Sequence, residues 1–125
     1  MIGKDFEFCS KQQSKSGRFL EACLLVLLDE EDSHGYSLLE RLKEFNFQPD
    51  GVNISIIYRN LKSMEGRGLV EAEWVAGDQG PNKKIYKLTE EGRTAASKWI
   101  ELLKFRKAQL QLIIDKYEKN SREVK

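Results

Sequence analysis

The amino-acid sequence predicts a mainly α-helical protein with one small β-hairpin and a long C-terminal helix. Two observations carry this prediction. Apolar residues recur at three- and four-residue intervals through most of the chain, and they alternate with polar residues in one short region before a glycine-rich turn. The chain has 125 residues, 40% hydrophobic and 33% charged, which suits one small domain. We expect a flexible arm over 1–17, a compact domain of helices with a hairpin over 18–88 and the long helix over 89–125.

Two helices are predicted in the first half of the compact domain. The first runs from Arg18 to about Asp29 and is apolar on nearly all sides, which is typical of a helix buried at the centre of a domain. Ser33 is a suitable N-cap for the second, which we expect to extend from His34 to Phe45. The apolar face of this second helix comprises Tyr36, Leu38, Leu39, Leu42 and Phe45.

A third helix is predicted after a proline- and glycine-containing turn. Asn53 is a good N-cap for a helix from Ile54 to about Arg67. Gly66 costs about 1 kcal/mol relative to alanine in a helix interior, so we expect the helix to fray or end early there. Gly68 is predicted to terminate it as the first residue beyond the cap.

A hairpin is predicted next. Apolar and polar side chains alternate over 69–76 as in a half-buried strand, with Trp74 on the apolar side. The segment 84–88 returns as the second strand, and glycine, proline and asparagine residues mark the turn over 77–83. The compact domain is therefore predicted to have the order helix, helix, helix, hairpin.

The last predicted element is a helix too long for the core of its own chain. Thr89 is a suitable N-cap, and helix-forming residues continue to about Asn120, which gives a rod of about 45 Å. Three short helices cannot cover an apolar stripe of that length, so we expect two copies of the chain to pair through it. The residues assigned to this homodimer contact are Leu102, Leu103, Leu110, Ile113, Ile114 and Tyr117.

Charge is distributed unevenly although the net charge is only +1. Residues 19–50 carry a net charge of −6, whereas residues 51–88 carry +2 and residues 89–125 carry +3. Contacts with DNA phosphates require local positive charge rather than a positive total. The distribution therefore allows a nucleic-acid partner on the second half of the chain.

Several other classes of protein are excluded or disfavoured by composition. The longest apolar run, 22–28, is far shorter than the roughly 20 residues of a membrane crossing, and no secretory signal is visible, so we expect a cytoplasmic protein with no membrane partner. His34 is the single histidine, and Cys9 and Cys23 are the only cysteines. A zinc site of cysteine and histidine ligands cannot be built from them. We expect structural thiols, no metal, no cofactor and no enzymatic activity.

The predicted order of elements is that of a winged helix-turn-helix, in which the third helix enters the major groove and the hairpin, or wing, reaches the DNA backbone. Motifs in this order are His34-Gly35-Tyr36, Tyr58-Arg59-Asn60-Leu61, Gly68-Leu69-Val70-Glu71, Gly80-Pro81 with Lys83, Lys84 and Tyr86, and Leu88-Thr89-Glu90-Glu91-Gly92. Together they resemble the PadR family of bacterial transcriptional regulators over about residues 19–103. The resemblance implies a homodimeric repressor that dimerises through its C-terminal helix. The arm also resembles that of repressors linked to polyhydroxybutyrate storage.

One position departs from the pattern of that family. Its recognition helix commonly begins with a Ser-x-Gly-Thr-Leu-Tyr sequence, and here Ile56 stands where a hydroxyl group that could contact a phosphate is usual. Either Ser55 supplies this contact from the neighbouring position, or affinity depends more on the rest of the third helix and on the wing.

Candidate DNA contacts come from the third helix, the wing and the start of the second helix. Arg59 is the best candidate for bidentate readout of guanine. The full set is Asn53, Ser55, Tyr58, Arg59, Lys62, Lys83, Lys84, His34 and Tyr36. Each has a simpler alternative role, namely helix capping, solvation or packing against a neighbouring helix.

Two further hypotheses concern ligands and partners. Trp74 and Trp99 could line a cavity for a small-molecule effector because flat ligands stack on indole, or both could be core or interface residues. The leading prediction is a repressor that binds double-stranded DNA as a homodimer and is released by a small-molecule or storage-polymer signal. The alternative is a protein-interaction adaptor that has lost DNA binding.

Overall fold

The protein folds as a small helical domain with a hairpin and a long helix. A computed structural model describes residues 19–45, 52–77 and 80–124. Its elements are the helices α1 (Leu20–Glu30), α2 (Gly35–Arg41), α3 (Ile54–Gly66) and α4 (Glu90–Val124), a 3-10 turn over Leu42–Phe45, and the strands β1 (Val70–Val75) and β2 (Lys83–Leu88). The predicted fold class is confirmed. The predicted arm over 1–17 lies outside the described residues.

Helix α1 lies at the centre of the core, as its apolar sequence predicts. Leu20, Leu24, Leu25 and Leu27 are completely buried, and α1 contacts α2, α4 and β2. The helix begins at Leu20, and the predicted first residue, Arg18, lies outside the described part of the chain. Each buried leucine contributes about 1.5–3 kcal/mol relative to an exposed one, so α1 organises the domain.

The prediction that Ser33 caps the second helix is wrong. The N-cap is His34, whose Nδ1 accepts a hydrogen bond from the backbone N–H of Ser37 at 3.3 Å. Ser33 instead forms an isolated antiparallel bridge with Tyr86, in which each backbone N–H donates to the other residue's carbonyl oxygen. Because this pairing holds the backbone of Ser33 against the hairpin, the helix starts one residue later.

The second helix is also shorter than predicted. It ends at Arg41, and the following residues, Leu42–Phe45, form a 3-10 turn. Leu38 and Leu42 are buried as expected. The two aromatic residues of the predicted apolar face are not buried, since Tyr36 is 62% exposed and Phe45 is 42% exposed. A helix of two turns has only a short apolar stripe that can face the core. Tyr36 at its start and Phe45 after its end therefore lie beyond the edge of the core.

Arg41 fastens the end of α1 to α2. Its guanidinium donates to the carbonyl oxygen of Leu27 at 3.2 Å, to Ser33 Oγ at 2.9 Å and to Glu30 Oε1 at 2.7 Å. The arginine side chain is only 16% exposed. Arg41 is therefore a second donor to the Leu27 carbonyl, which also accepts from the backbone N–H of Glu31 at 3.2 Å, and it links this end of α1 to α2.

Helix α3 has the predicted two faces and the predicted end. Ile57, Leu61 and Met64 are completely buried, and the helix ends at Gly66. Gly68 has a φ of 76°, the left-handed conformation that glycine adopts without steric cost. The N–H of Gly68 donates to the carbonyl oxygen of Glu65 and the N–H of Leu69 to that of Met64, which is the Schellman pattern.

The hairpin is buried at its base and exposed towards its tip. Val70 pairs with Leu88 and Val75 with Lys83 in one antiparallel register. Val70 is 2% exposed, whereas Trp74 is 66% exposed. The prediction of a half-buried strand over 69–76 is therefore wrong for its distal half, because the hairpin extends past the edge of the small core.

Helix α4 begins at a confirmed cap and leaves the core after its first half. The hydroxyl of Thr89 accepts from the N–H of Gly92 at 3.0 Å, and Trp99 is buried in the core. From Leu110 to Asn120 every residue is exposed. The helix has 35 residues and is therefore about 52 Å long, somewhat longer than the predicted rod.

Candidate nucleic-acid interface

The exposed face of α3 carries the polar side chains that the sequence assigns to DNA contact. Ser55, Tyr58, Arg59 and Lys62 are all exposed, on the side opposite the three buried residues. Arg59 and Lys62 form no ion pair among the described residues. Guanidinium and ammonium groups that have no carboxylate partner are free to donate hydrogen bonds to phosphate oxygens and to the edges of guanine bases.

The start of α3 is fixed by its cap. Asn53 Oδ1 accepts from the N–H of Ile56 at 3.1 Å, and Asn53 is itself exposed. The side chain of Ile56 packs against the edge of the core. This packing explains how an apolar residue is accommodated where the family pattern has a hydroxyl, and it leaves Ser55 as the exposed hydroxyl of this turn.

An aromatic cleft lies between α2, α3 and the hairpin. The rings of Tyr36 and Tyr58 meet edge to face, with centroids 6.5 Å apart. Gly35 makes this arrangement possible, because a Cβ at that position would lie 2.6 Å from the ring of Tyr58. The cleft has a volume of about 870 Å³, and its lining residues are His34, Tyr36, Tyr58, Trp74, Gly77, Gly80, Pro81, Asn82, Lys83, Lys84 and Tyr86.

The two wing lysines have different surroundings. Lys84 Nζ lies 6.0 Å from the ring centroid of Trp74 and 5.5 Å from that of Tyr86, and it pairs with Glu65 Oε1 at 3.5 Å. Lys83 is exposed. The structure therefore holds Lys84 inside the cleft and leaves Lys83 extended towards solvent near the tip of the hairpin.

The two faces of the hairpin differ in charge. Trp74 stands opposite Lys84 in the register, and Glu71 stands opposite Lys87. Because successive side chains of a strand point to opposite faces, Glu71 and Glu73 lie on the face turned away from Trp74. The acidic residues of β1 are thus separated from the cleft.

His34 and Tyr36 line the cleft from the side of α2. His34 caps the helix and is half-buried, whereas Tyr36 is exposed. The structure therefore brings all nine candidate residues to α3, to the start of α2 or to the wing.

The two tryptophans do not share a cavity. Trp74 lines the cleft, but Trp99 is 1% exposed and lies in the core, where its Nε1 donates to Glu21 Oε2 at 3.0 Å. The ring of Phe19 packs against Trp99 edge to face. The prediction of a cavity lined by both indoles is therefore wrong. Trp99 is instead a core residue, which was the alternative that the sequence left open.

Sequence reasoning missed the partners of a buried carboxylate. Glu21 is 1% exposed and binds both Trp99 and Arg67. The partners are 46 and 78 residues away along the chain. A charged residue inside an otherwise apolar helix is the one sequence signal that points to such a group.

Burial changes the acidity of two side chains. Burial raises the pKa of the Tyr86 hydroxyl, and the neighbouring Lys84 opposes that change. Burial also raises the pKa of the Cys23 thiol to about 12. Cys23 is therefore a neutral thiol at physiological pH, in agreement with a structural role.

The residues assigned to dimerisation divide into two groups. Leu102 and Leu103 are half-buried against the core. The others lie on the exposed second half of α4 and are 48–71% exposed: Leu110, Ile113, Ile114 and Tyr117. The second group forms an apolar stripe without a partner in the described part of the chain.

The described residues contain neither a cluster of metal ligands nor a helix that could span a membrane. Within 19–45, 52–77 and 80–124, no three histidine, cysteine or carboxylate side chains cluster as metal ligands would. None of the helices found there combines the length and the apolar character needed to cross a bilayer.

Three helices, a bridging residue pair and a two-stranded wing place the fold in the winged helix-turn-helix class. The chain belongs to the PadR-like family of transcriptional regulators, whose sequence pattern matches residues 24–98.

Individual relatives agree with this assignment. An 81-residue stretch is 33% identical to the "Probable transcriptional regulator" of Mycobacterium tuberculosis, and it covers 65% of this chain and 43% of that protein. The chain thus matches less than half the length of that relative.

Solved structures agree as well. The PadR-like transcription factor of Bacteroides fragilis is 29% identical, with a TM-score of 0.67 over 83% of this chain and 97% of that one. Bacillus subtilis PadR, solved in complex with operator DNA, is 28% identical, with a TM-score of 0.59 over 66% of this chain and 47% of that one.

Proposed function

We propose that the protein is a sequence-specific DNA-binding repressor that acts in the cytoplasm as a homodimer. The observation that carries the proposal is the exposed face of α3, where Tyr58, Arg59 and Lys62 project beside the wing. Ile57, Leu61 and Met64 on the opposite face are completely buried, so the helix can turn only this side towards a partner. The operator complex of the similar Bacillus protein supports DNA as the partner.

The exposed side chains suggest a separate role in DNA binding for each group of residues. Arg59 reads a base edge in the major groove, because its planar guanidinium can donate two hydrogen bonds to guanine. Ser55, Asn53 and Lys62 contact phosphates and set the register. Lys83 reaches the backbone from the wing, whereas Lys84 supports the cleft through its contacts with Trp74 and Tyr86.

Dimerisation is supported by the second half of α4. Eleven consecutive residues, 110–120, are exposed on all sides in the single chain, yet apolar side chains recur along one side of them. Exposed apolar stripes of this kind mark protein interfaces, and isolated helical segments of this length are marginal in water. A two-fold helix pair buries the stripe and doubles the DNA-binding surface.

Release by a signal is supported by the cleft. A flat molecule that stacks on Trp74 would lie between the wing and Tyr58, where the wing and α3 face the DNA. Such a ligand and DNA would compete for the same surface. The arm's resemblance to repressors of polyhydroxybutyrate storage supports a storage-polymer signal as one source, and a small molecule is the other.

The proposal is tested by footprinting the reduced protein on the promoter of its own operon, together with light scattering in solution. We expect protection of one operator, affinity that falls steeply with salt, and a mass twice that of the chain. A monomer that binds a shuffled duplex equally well contradicts the proposal. A monomer that dimerises only with a second protein favours the adaptor.

A further inference from the structure

A single buried carboxylate joins three helices of this domain. Glu21 of α1 is 1% exposed. Its Oε2 accepts from Trp99 Nε1 at 3.0 Å and from Arg67 Nη1 at 3.4 Å, and its Oε1 accepts from Arg67 Nη2. No buried side-chain nitrogen or oxygen atom of the described residues lacks a hydrogen-bond partner. The carboxylate is thus fully engaged.

Each partner belongs to an element with a separate task. Arg67 directly follows α3, and its guanidinium also donates to Ser63 Oγ at 3.2 Å and to the Ser63 carbonyl oxygen at 3.4 Å. It therefore holds the last turn of the recognition helix. Trp99 lies on α4, the helix that carries the apolar stripe. Glu21 stands between the helix that faces DNA and the helix that faces the second copy.

An ion pair with a buried carboxylate adds little to the free energy of unfolding. Desolvation of the charges offsets most of their attraction, and well-packed apolar replacements are often equally stable. Hydrogen bonds to a fixed carboxylate are directional, however, and define one arrangement of the donors. The contribution of Glu21 is therefore to the relative orientation of α3 and α4.

We propose that Glu21 is a positioning residue that sets the angle between α3 and α4 and thereby the separation of the two recognition helices in the dimer. This inference rests on the proposed function. Half-sites one helical turn apart require recognition helices about 34–36 Å apart. A tilt of about 5° at half that distance moves each helix by about 1.5 Å, and both together by nearly one base-pair step of about 3.4 Å.

The test compares operators whose half-site spacing is changed by one base pair in either direction. Glu21→Gln keeps an acceptor for Trp99 but removes the charge that holds Arg67. We expect this variant to remain a dimer and to bind random duplex within about twofold of wild type. Its preference for the native spacing over the altered spacings should fall at least tenfold.

A second variant separates orientation from stability. The double substitution Glu21→Gln with Arg67→Met removes both charges of the pair while the amide oxygen can still accept from Trp99 Nε1, so it is expected to fold even if Glu21→Gln alone does not. It should lose the spacing preference in the same way. The matched control is Glu30→Gln, which weakens the ion pair with Arg41 at the surface and should leave the preference unchanged.

The outcomes distinguish this inference from the proposed function. If the wild-type protein neither dimerises nor prefers an operator, the proposed function fails. If the wild-type protein does both, and a folded Glu21 variant keeps the wild-type ratio between spacings within twofold, the positioning role of Glu21 is overturned.

Discussion

A Cβ on Gly92 would lie 2.1 Å from the carbonyl oxygen of Leu69. The first turn of α4 therefore passes Leu69, the last residue of the Schellman turn, at a distance that only glycine permits. The same junction is held by the N–H of Thr89, which donates to the Leu69 carbonyl, and by the Thr89 hydroxyl, which donates to the Gly68 carbonyl at 2.6 Å. This contact fixes where the long helix leaves the domain.

Substitution of Gly92 by alanine is expected to destabilise the fold by about 3 kcal/mol, because backbone rather than a flexible side chain must move. Gly66→Ala is the control, since nothing lies within 4 Å of a Cβ at that exposed position. It should stabilise the protein by about 0.5 kcal/mol through helix propensity. Urea unfolding followed by circular dichroism measures both changes. Equal effects of the two substitutions would refute the close approach.

Arg41→Ala is expected to lower the free energy of unfolding by about 1–3 kcal/mol, because it removes three charge-assisted hydrogen bonds, to Ser33 Oγ, to Glu30 and to the Leu27 carbonyl, from a side chain that is only 16% exposed. Lys43→Ala provides the control. Its ion pair with Glu40 is exposed and should contribute less than about 0.5 kcal/mol. Thermal unfolding of the three proteins distinguishes these roles, and an Arg41 variant as stable as the Lys43 variant would contradict the first.

Cys23 is expected to react slowly with iodoacetamide. With a pKa of about 12, the thiolate fraction at pH 8 is on the order of 10³ lower than that of an ordinary cysteine. In a Cys9→Ser background, alkylation measured by mass spectrometry should accelerate about tenfold per pH unit between pH 7 and 9. The unfolded protein in urea is the control, and similar native and unfolded rates at pH 8 would show that the thiol is not protected.

Leu110→Glu is expected to dissociate the proposed dimer, because it places a charge on the apolar stripe. Ala108→Glu is a matched control, since position 108 lies on the opposite side of the same exposed helical segment. Light scattering at micromolar concentration should report a monomer for the first variant and a dimer for the second. Two dimers would exclude the stripe as the interface.

Local patterns were sufficient for most of the fold. The spacing of Ile57, Leu61 and Met64 predicted the buried face of α3, and Gly68 and Thr89 marked the boundaries that the structure has. Such signals act over a few residues. They therefore predicted the order of elements and the exposed face that bears Arg59.

Pairings across the chain were not predictable in the same way. The bridge between Ser33 and Tyr86 moved the helix cap to His34, although local cap preference favours serine over histidine. The exposure of Trp74 depends on how far the small core extends beneath the hairpin. The contacts of Glu21 with residues 67 and 99 likewise depend on how the three helices pack.

Arg59, on the exposed face of α3, is the residue proposed to read the operator. The most direct measurement is the affinity of wild-type protein, Arg59→Ala and Arg93→Ala for the operator and for a shuffled duplex. Arg93 is an exposed arginine at the start of α4, so its loss removes the same charge elsewhere. We expect Arg59→Ala to lose about 10–100-fold in operator affinity, as for one bidentate base contact, and much less on the shuffled duplex. Equal losses on both duplexes, or equal losses for the two arginine variants, would show that Arg59 does not read a base.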